Sequence, residues 1–264
     1  MLRPLIAATA LGLALLAMTA MANAAGDADT RTVSALGIAR AGGEEVFVEV
    51  LVGVPEGASA QAAAAQALRE QGAHPAVPRD LESAGFTTTG LVWDAFGDGS
   101  AGNDFVAQYY NPRGDPTGGA ALSALLNAQA TWTEVPSTSF AFSYGGTTNR
   151  CPSLVNECPG PQTYDNKNDV AWVKLSGCCT LAVTWFSTSR DEADMGINTR
   201  FKWSTSDPTP AGRYDLESVI LHENGHAAGL GHSADTSAVM YAYYSGLRRN
   251  LHQDDIDGIS FLYP

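Results

Sequence analysis

Residues 222–232 read His-Glu-Asn-Gly-His-Ala-Ala-Gly-Leu-Gly-His, and this stretch restricts local structure more tightly than any other in the chain. His222 and His226 are four residues apart, so on a helix they share one face on successive turns. Two imidazoles placed in this way can point at one metal ion. Glu223 follows the first of them, which puts its carboxylate beside the ion without occupying a coordination position. Gly229 can adopt positive φ and end the helix abruptly. The turned chain can then bring His232 to the ion from another direction. Three protein ligands leave a fourth position open, the pattern of a catalytic zinc and not of a structural one, which usually has four. No fourth ligand is evident near the motif. Asp215 is placed to cap the helix, which is expected to run from Leu216 to about Ala228. With zinc bound, Glu223 is the expected general base, and the imidazoles must be neutral to bind the ion. The bland alternative is an amphipathic helix with incidental histidines on its surface.

The chain has 264 residues and a net charge of −13. That balance argues against nucleic acid as a partner, since phosphate binding wants a basic face, and against anionic membrane surfaces. Arg3, the apolar run Leu5–Met21 and the small residues Ala22-Asn23-Ala24 form a signal-peptide pattern over residues 1–24. Cleavage is expected near Ala24–Ala25, giving a secreted, extracellular chain with no further membrane segment; the alternative is a retained N-terminal anchor, since the run is near the lower limit for spanning a bilayer. Four cysteines agree with an oxidising compartment: Cys151, Cys158, Cys178 and Cys179. A bond between adjacent cysteines would close a strained ring, so Cys178 and Cys179 are each expected to pair with Cys151 or Cys158. The spacings do not match a cysteine zinc site.

Past the signal, Val46–Val54 (VFVEVLVGV) reads as a strand, Ser59–Gln71 as an Ala-rich helix, and Phe86–Trp93 as a short strand. Residues 25–100 thus form a small α/β region that has too little surface to bury for comfortable independent folding. A Gly/Asp-rich loop at 94–104 marks the boundary with a second domain at 101–264. There the expected strands are Phe105–Tyr110, Phe140–Tyr144, Asp169–Leu175, Thr180–Phe186 and Ala193–Asn198. The expected helices are Gly118–Val135, the motif helix and Asp254–Leu262. The fold class is α+β.

The motif HExxHxxGxxH resembles that of the metzincin metallopeptidases. Ser237-Ala238-Val239-Met240-Tyr241 looks like their Met-turn, with Met240 as an apolar floor under the metal. Ser233 directly after His232, Tyr241 after the Met, and the closing segment Leu251–Tyr263 are similar to a matrixin catalytic domain. Ala242 stands where astacins and serralysins carry a zinc-binding Tyr, which argues against those families. The resemblance implies a twisted mixed sheet, two long helices and a C-terminal helix. It implies a zinc endopeptidase acting on extended protein or peptide substrates, and a monomer is expected. The rival reading is a non-catalytic, zinc-stabilised binding module.

In this family an extended peptide pairs with an edge strand above the zinc, and Thr180–Phe186 is the candidate edge. The wall of the specificity pocket is expected after the Met-turn, with Tyr241 and Tyr244 as lining residues. Several features depart from animal matrixins. Val183 and Met195 stand where a second, structural zinc would want His. No Cys precedes Cys151, so the cysteine switch is missing. If residues 25–100 are a propeptide, Phe96-Gly97-Asp98 offers a carboxylate to cap the zinc. Calcium is a candidate second cofactor, with oxygens from Asp165, Asp169, Asp191, Glu192 and Asp194. His74 and His252 are expected at the surface, and Asp254 and Asp255 in structural roles.

Overall fold

The computed structural model describes residues 32–41, 44–75, 86–90, 92–93, 105–152, 165–187 and 192–264. Strands β1 (Thr32–Ala41) and β2 (Glu44–Gly53) form an antiparallel hairpin. Val46, Val48, Val50 and Val52 alternate along β2 and pack with Ala64, Ala67 and Leu68 of helix α1 (Ala60–Glu70). The Ser59 hydroxyl caps α1 by accepting from the Ala62 N–H at 3.1 Å. Strand β3 (His74–Pro75) returns to pair with β1.

Strand β4 (Val106–Asn111), helix α2 (Ala120–Thr133) and strand β5 (Phe142–Thr147) come next. They are followed by β6 (Asn168–Val173), β7 (Thr180–Ser187), β8 (Ala193–Asn198), β9 (Trp203–Ser204) and β10 (Tyr214–Asp215). Helices α3 (Leu216–Ala228) and α4 (Gln253–Leu262) complete the chain. Eight strands form one sheet in the order β3-β1-β2-β7-β8-β6-β4-β5. Strands β5, β4, β6 and β8 run parallel, while β7 is antiparallel to β8 and to β2. The result is a mixed sheet with helices, an α+β fold. Both faces of β7 are covered. Ala182 and Phe186 join the core under α2 and α3, and Val183 and Trp185 join the core under α1. The indole N–H of Trp132 donates to the Leu221 carbonyl at 2.9 Å and ties α2 to α3.

Four expectations need correction. Strand β7 is not an edge, because β2 pairs with it from Val46 to Val52. The N-terminal region is therefore not a separate α/β unit. Its apolar strands join the main sheet, which solves the burial problem that a region of this size faces alone. Residues 86–93 do not form a strand among the described residues. Thr88 makes a single bridge to Leu230, since the chain here runs over the end of α3 and not along a sheet.

The cysteine pairing also differs. Cys178 is bonded to its neighbour Cys179. Cys151 is disulfide-bonded too, and Cys158 lies outside the described residues. The sheet explains why cross-pairing fails. Arg150, next to Cys151, bonds to Asn111 on β4 and to Asp169 on β6. The Cys179 carbonyl accepts from Gly53 at the end of β2. Cys179 directly precedes β7, β8 lies between β7 and β6, and each step across a sheet is about 4.8 Å. That separation exceeds the roughly 4.4–6.8 Å that a disulfide spans between Cα atoms.

The start of α3 is fixed by Asp215. Its buried carboxylate accepts from the Ser218 N–H at 2.9 Å and pairs with Arg249 at 2.5 Å. Asp215→Ala removes the cap and strands the guanidinium, so urea unfolding should show a loss of about 2–4 kcal/mol.

Candidate metal centre

Every residue of α3 is buried, and His222 and His226 project from one face of it. The helix stops at Gly229, which takes φ 112° as the C-cap. The Leu230 N–H returns to the Gly225 carbonyl at 2.9 Å. This turn leaves the Leu230 carbonyl free to accept from Nδ1 of His226 at 2.9 Å. The Val239 carbonyl does the same for Nδ1 of His222 at 2.8 Å. Each ring thus carries its proton on Nδ1 and presents an Nε2 lone pair to the site. Those two Nε2 atoms face each other at 3.1 Å. Two acceptors at that distance repel unless a cation lies between them. Nε2 of His232 is buried and has no hydrogen-bond partner among the described residues. Ligand atoms of His222, His226 and His232 all lie within 4.8 Å of one another. Convergent imidazole nitrogens at this spacing fit a zinc ion.

Met240 is buried against Gly225 of α3, one residue before His226. A Cβ on Gly225 would lie 2.1 Å from the Met240 sulfur, so the glycine makes room for it. The turn carrying Met240 is fixed by Asp255, which accepts from the N–H groups of Val239 at 2.8 Å and Met240 at 3.0 Å. Ser233 donates to Asp254. Both acids thus lock the closing helix to the metal turn.

Glu223 is fully buried. One carboxylate oxygen accepts from the Thr184 hydroxyl on β7, and the other has no partner among the described residues. Burial raises its carboxyl from an ordinary 4.5 to about 8, against the Thr184 bond and with help from the charge of Glu49. Burial also lowers His222 from 6.5 to about 3, helped by His232. That ring is therefore neutral and ready to ligate over the whole physiological range.

Tyr241 and Tyr244 line a pocket beside His222, together with Val219, Val239 and Leu51. At the α3 cap the Tyr244 hydroxyl oxygen also accepts from the Asp215 N–H at 2.8 Å. Glu49 and Leu51, both on β2, were not anticipated at the site. The available signal was a single carboxylate inside an apolar strand, on the same face as Phe47 and Leu51.

Other candidates lie elsewhere. Asp169 is held by Arg150 at 2.7 Å, Asp194 accepts from the Asp169 N–H at 2.7 Å, and Glu192 accepts from the Asn166 N–H at 2.8 Å. Asp165 stands 3.4 Å from Arg150. These acids brace the starts of β6 and β8. Among the described residues, the histidine triad is the group of three or more side chains that converges as metal ligands. Val183 and Met195 are buried apolar residues. His74 is exposed, and half-buried His252 caps α4. Residues 1–24, Phe96-Gly97-Asp98 and Asp191 lie outside the described residues.

Residues 163–264 match the matrixin family model. Metalloendoproteinase 1 of Glycine max is 58% identical over 52 residues, 19% of this chain and 17% of that protein. Karilysin of Tannerella forsythia is 47% identical over 49 residues, 19% of this chain and 10% of that protein. Neutrophil collagenase of Homo sapiens is 47% identical over 53 residues, 19% of this chain and 11% of that protein. Residues 163–264 are thus similar to a matrixin domain. The matched stretch spans less than a fifth of each relative's length. The stretch matched by the family model, residues 163–264, contains α3 and the turn that carries Met240.

The two perturbed groups have opposite effects on the metal-free protein. Glu223 keeps a proton when folded between about pH 4.5 and 8, where the unfolded chain has released it. Its contribution to stability therefore falls as pH rises through that window. His222 stays neutral when folded between about pH 6.5 and 3, so its contribution falls as pH drops. Metal-free Glu223→Gln should be more stable than the parent at pH 8, with the gap closing towards pH 4.5. Urea unfolding of both proteins across that range measures it.

Proposed function

We propose that this matrixin-like chain is a secreted zinc-dependent endopeptidase. The observation that carries the reading is the convergence of three imidazoles, those of His222 and His226 buried and that of His232 partly exposed, beside an unpartnered carboxylate oxygen of Glu223. His222, His226 and His232 would hold the ion. When bound, the ion would supply Lewis acidity to a water and to a peptide carbonyl.

The chain's own residues do the rest. Glu223 accepts a proton from the attacking water and delivers it to the leaving amine. A carboxyl raised by burial suits both steps, because it takes and gives a proton near neutral pH. Thr184 holds one oxygen of Glu223 and so orients the other. Hydrogen bonds from His222 and His226 to backbone carbonyls keep their rings in the ligating tautomer. The pocket lined by Tyr241 and Tyr244 receives an apolar side chain of an extended peptide. The 1–24 leader and the disulfides support export, and among the described residues no helix is long and apolar enough to cross a membrane. The substrate class is extended protein or peptide, and the working form is taken to be a monomer with residues 25–100 as a removable propeptide.

The test is casein digestion by purified protein, before and after limited trypsin nicking quenched with a trypsin inhibitor. The parent should digest casein in at least one state and lose this with a zinc chelator. Glu223→Gln should retain one zinc per chain and digest about 10²–10⁴-fold more slowly. No digestion by the zinc-loaded parent in either state would sink the peptidase reading.

A further inference from the structure

Glu49 lies on β2 and is fully buried. One of its carboxylate oxygens is 3.3 Å from Nε2 of His232 and 3.7 Å from Nε2 of His226. The Ser34 hydroxyl, on neighbouring β1, donates to the same oxygen. The other oxygen has no hydrogen-bond partner among the described residues. A buried carboxylate needs a compensating cation. A divalent ion held by the three imidazoles would supply one. Carboxylate oxygen is also an ordinary zinc ligand beside imidazole nitrogen.

We propose that Glu49 is a fourth ligand of the metal held by His222, His226 and His232. The β1–β2 hairpin then shuts the cleft by occupying it as a substrate would. What is being shut rests on the peptidase reading above. Three further contacts define the mimicry. Strand β2 pairs antiparallel with β7, and the register sets Glu49 opposite Thr184, the residue that holds Glu223. Leu51 is two residues further along and on the same face as Glu49, and it lines the pocket beside His222 and Tyr241. Strand β1 bonds to the opposite wall: the Ser34 N–H donates to the Ala242 carbonyl at 2.6 Å, and the Thr32 hydroxyl accepts from the Tyr244 N–H. Both walls of the cleft are thus hydrogen-bonded to the hairpin. An extended peptide that pairs with β7 has to take the place of β2. Glu49 therefore sits at the metal where the fourth position would otherwise take water.

The experiment uses the full chain loaded with cobalt(II), whose visible spectrum reports its ligands. Parent, Glu49→Gln and Glu49→Ala are titrated with acetohydroxamate, a small chelating probe of open metal positions. The variants should show an altered cobalt spectrum before any probe is added. They should also respond to at least about ten-fold lower acetohydroxamate than the parent, because the open state is populated without displacing a ligand. On a fluorogenic peptide with a central leucine, the zinc-loaded variants should cleave at least about ten-fold faster than the zinc-loaded parent. Spectra and titrations identical in all three proteins would overturn the proposal. So would an altered spectrum in Glu49→Ala with unchanged acetohydroxamate response in both variants. If the spectra and titrations change as expected but no form cleaves peptide or casein, Glu49 is a ligand and the peptidase reading has failed by itself.

Discussion

The repulsion between two imidazole lone pairs organises this molecule. Nε2 of His222 and Nε2 of His226 are held 3.1 Å apart because both rings are pinned through Nδ1 to backbone carbonyls. One carbonyl comes from the turn that ends α3, and the other from the turn that carries Met240. Neither turn stands alone. Gly229 lets the first reverse, and Asp255 on α4 holds the second through two N–H groups. Tyr263 adds a hydroxyl bond to the Ala228 carbonyl at 2.6 Å. The last third of the chain is thus a frame that keeps two mutually repelling acceptors in place for a cation.

Much of that frame was legible because its signals are local. Asp215 before an apolar run and Gly229 after it bound α3 at the residues observed, Leu216–Ala228. Ser59 marks α1 in the same way. What could not be read was non-local pairing. Nothing in Thr180–Ser187 reveals whether its outer side faces water or another strand, since its burial on both faces depends on a hairpin more than 120 residues away, an order-of-magnitude separation that carries a large closure cost. Strand β1 was missed because TVSALGIARA mixes Gly, Ala and Arg without clean alternation. Its burial comes from neighbours on both sides. The vicinal Cys178–Cys179 bond was set aside on local ring strain, yet the sheet places Cys151 too far away to compete. Glu49 was read as one polar position in a strand, because its meaning lies in the histidines it meets.

The sheet also gives the two halves of the chain a shared energetics. Val46, Val48, Val50 and Val52 are buried with Val183 and Trp185 of β7, so the hairpin and the metal domain protect each other's apolar surface. Removing the hairpin uncovers the outer side of β7 and the face that α1 covers. The same act that opens the cleft therefore costs the domain part of its core, and a substrate strand recovers only the backbone share of that loss.

Tethering decides how such a cleft can be opened. On the proposal above, a hairpin joined covalently to the domain competes with substrate at an effective concentration that dilution does not lower. It gains further from the pairing of β2 with β7, the Leu51 side chain at the pocket wall and Glu49 at the histidines. A free peptide offers the first two of these contacts and lacks the carboxylate. Raising substrate concentration is thus a weak way to open the cleft. Cutting the connection is a strong one, because it converts an intramolecular contact into a bimolecular one that dilution can dissolve. If Glu49 closes the site as proposed, control lies in the covalent continuity of the chain and only secondarily in the affinity of what binds there.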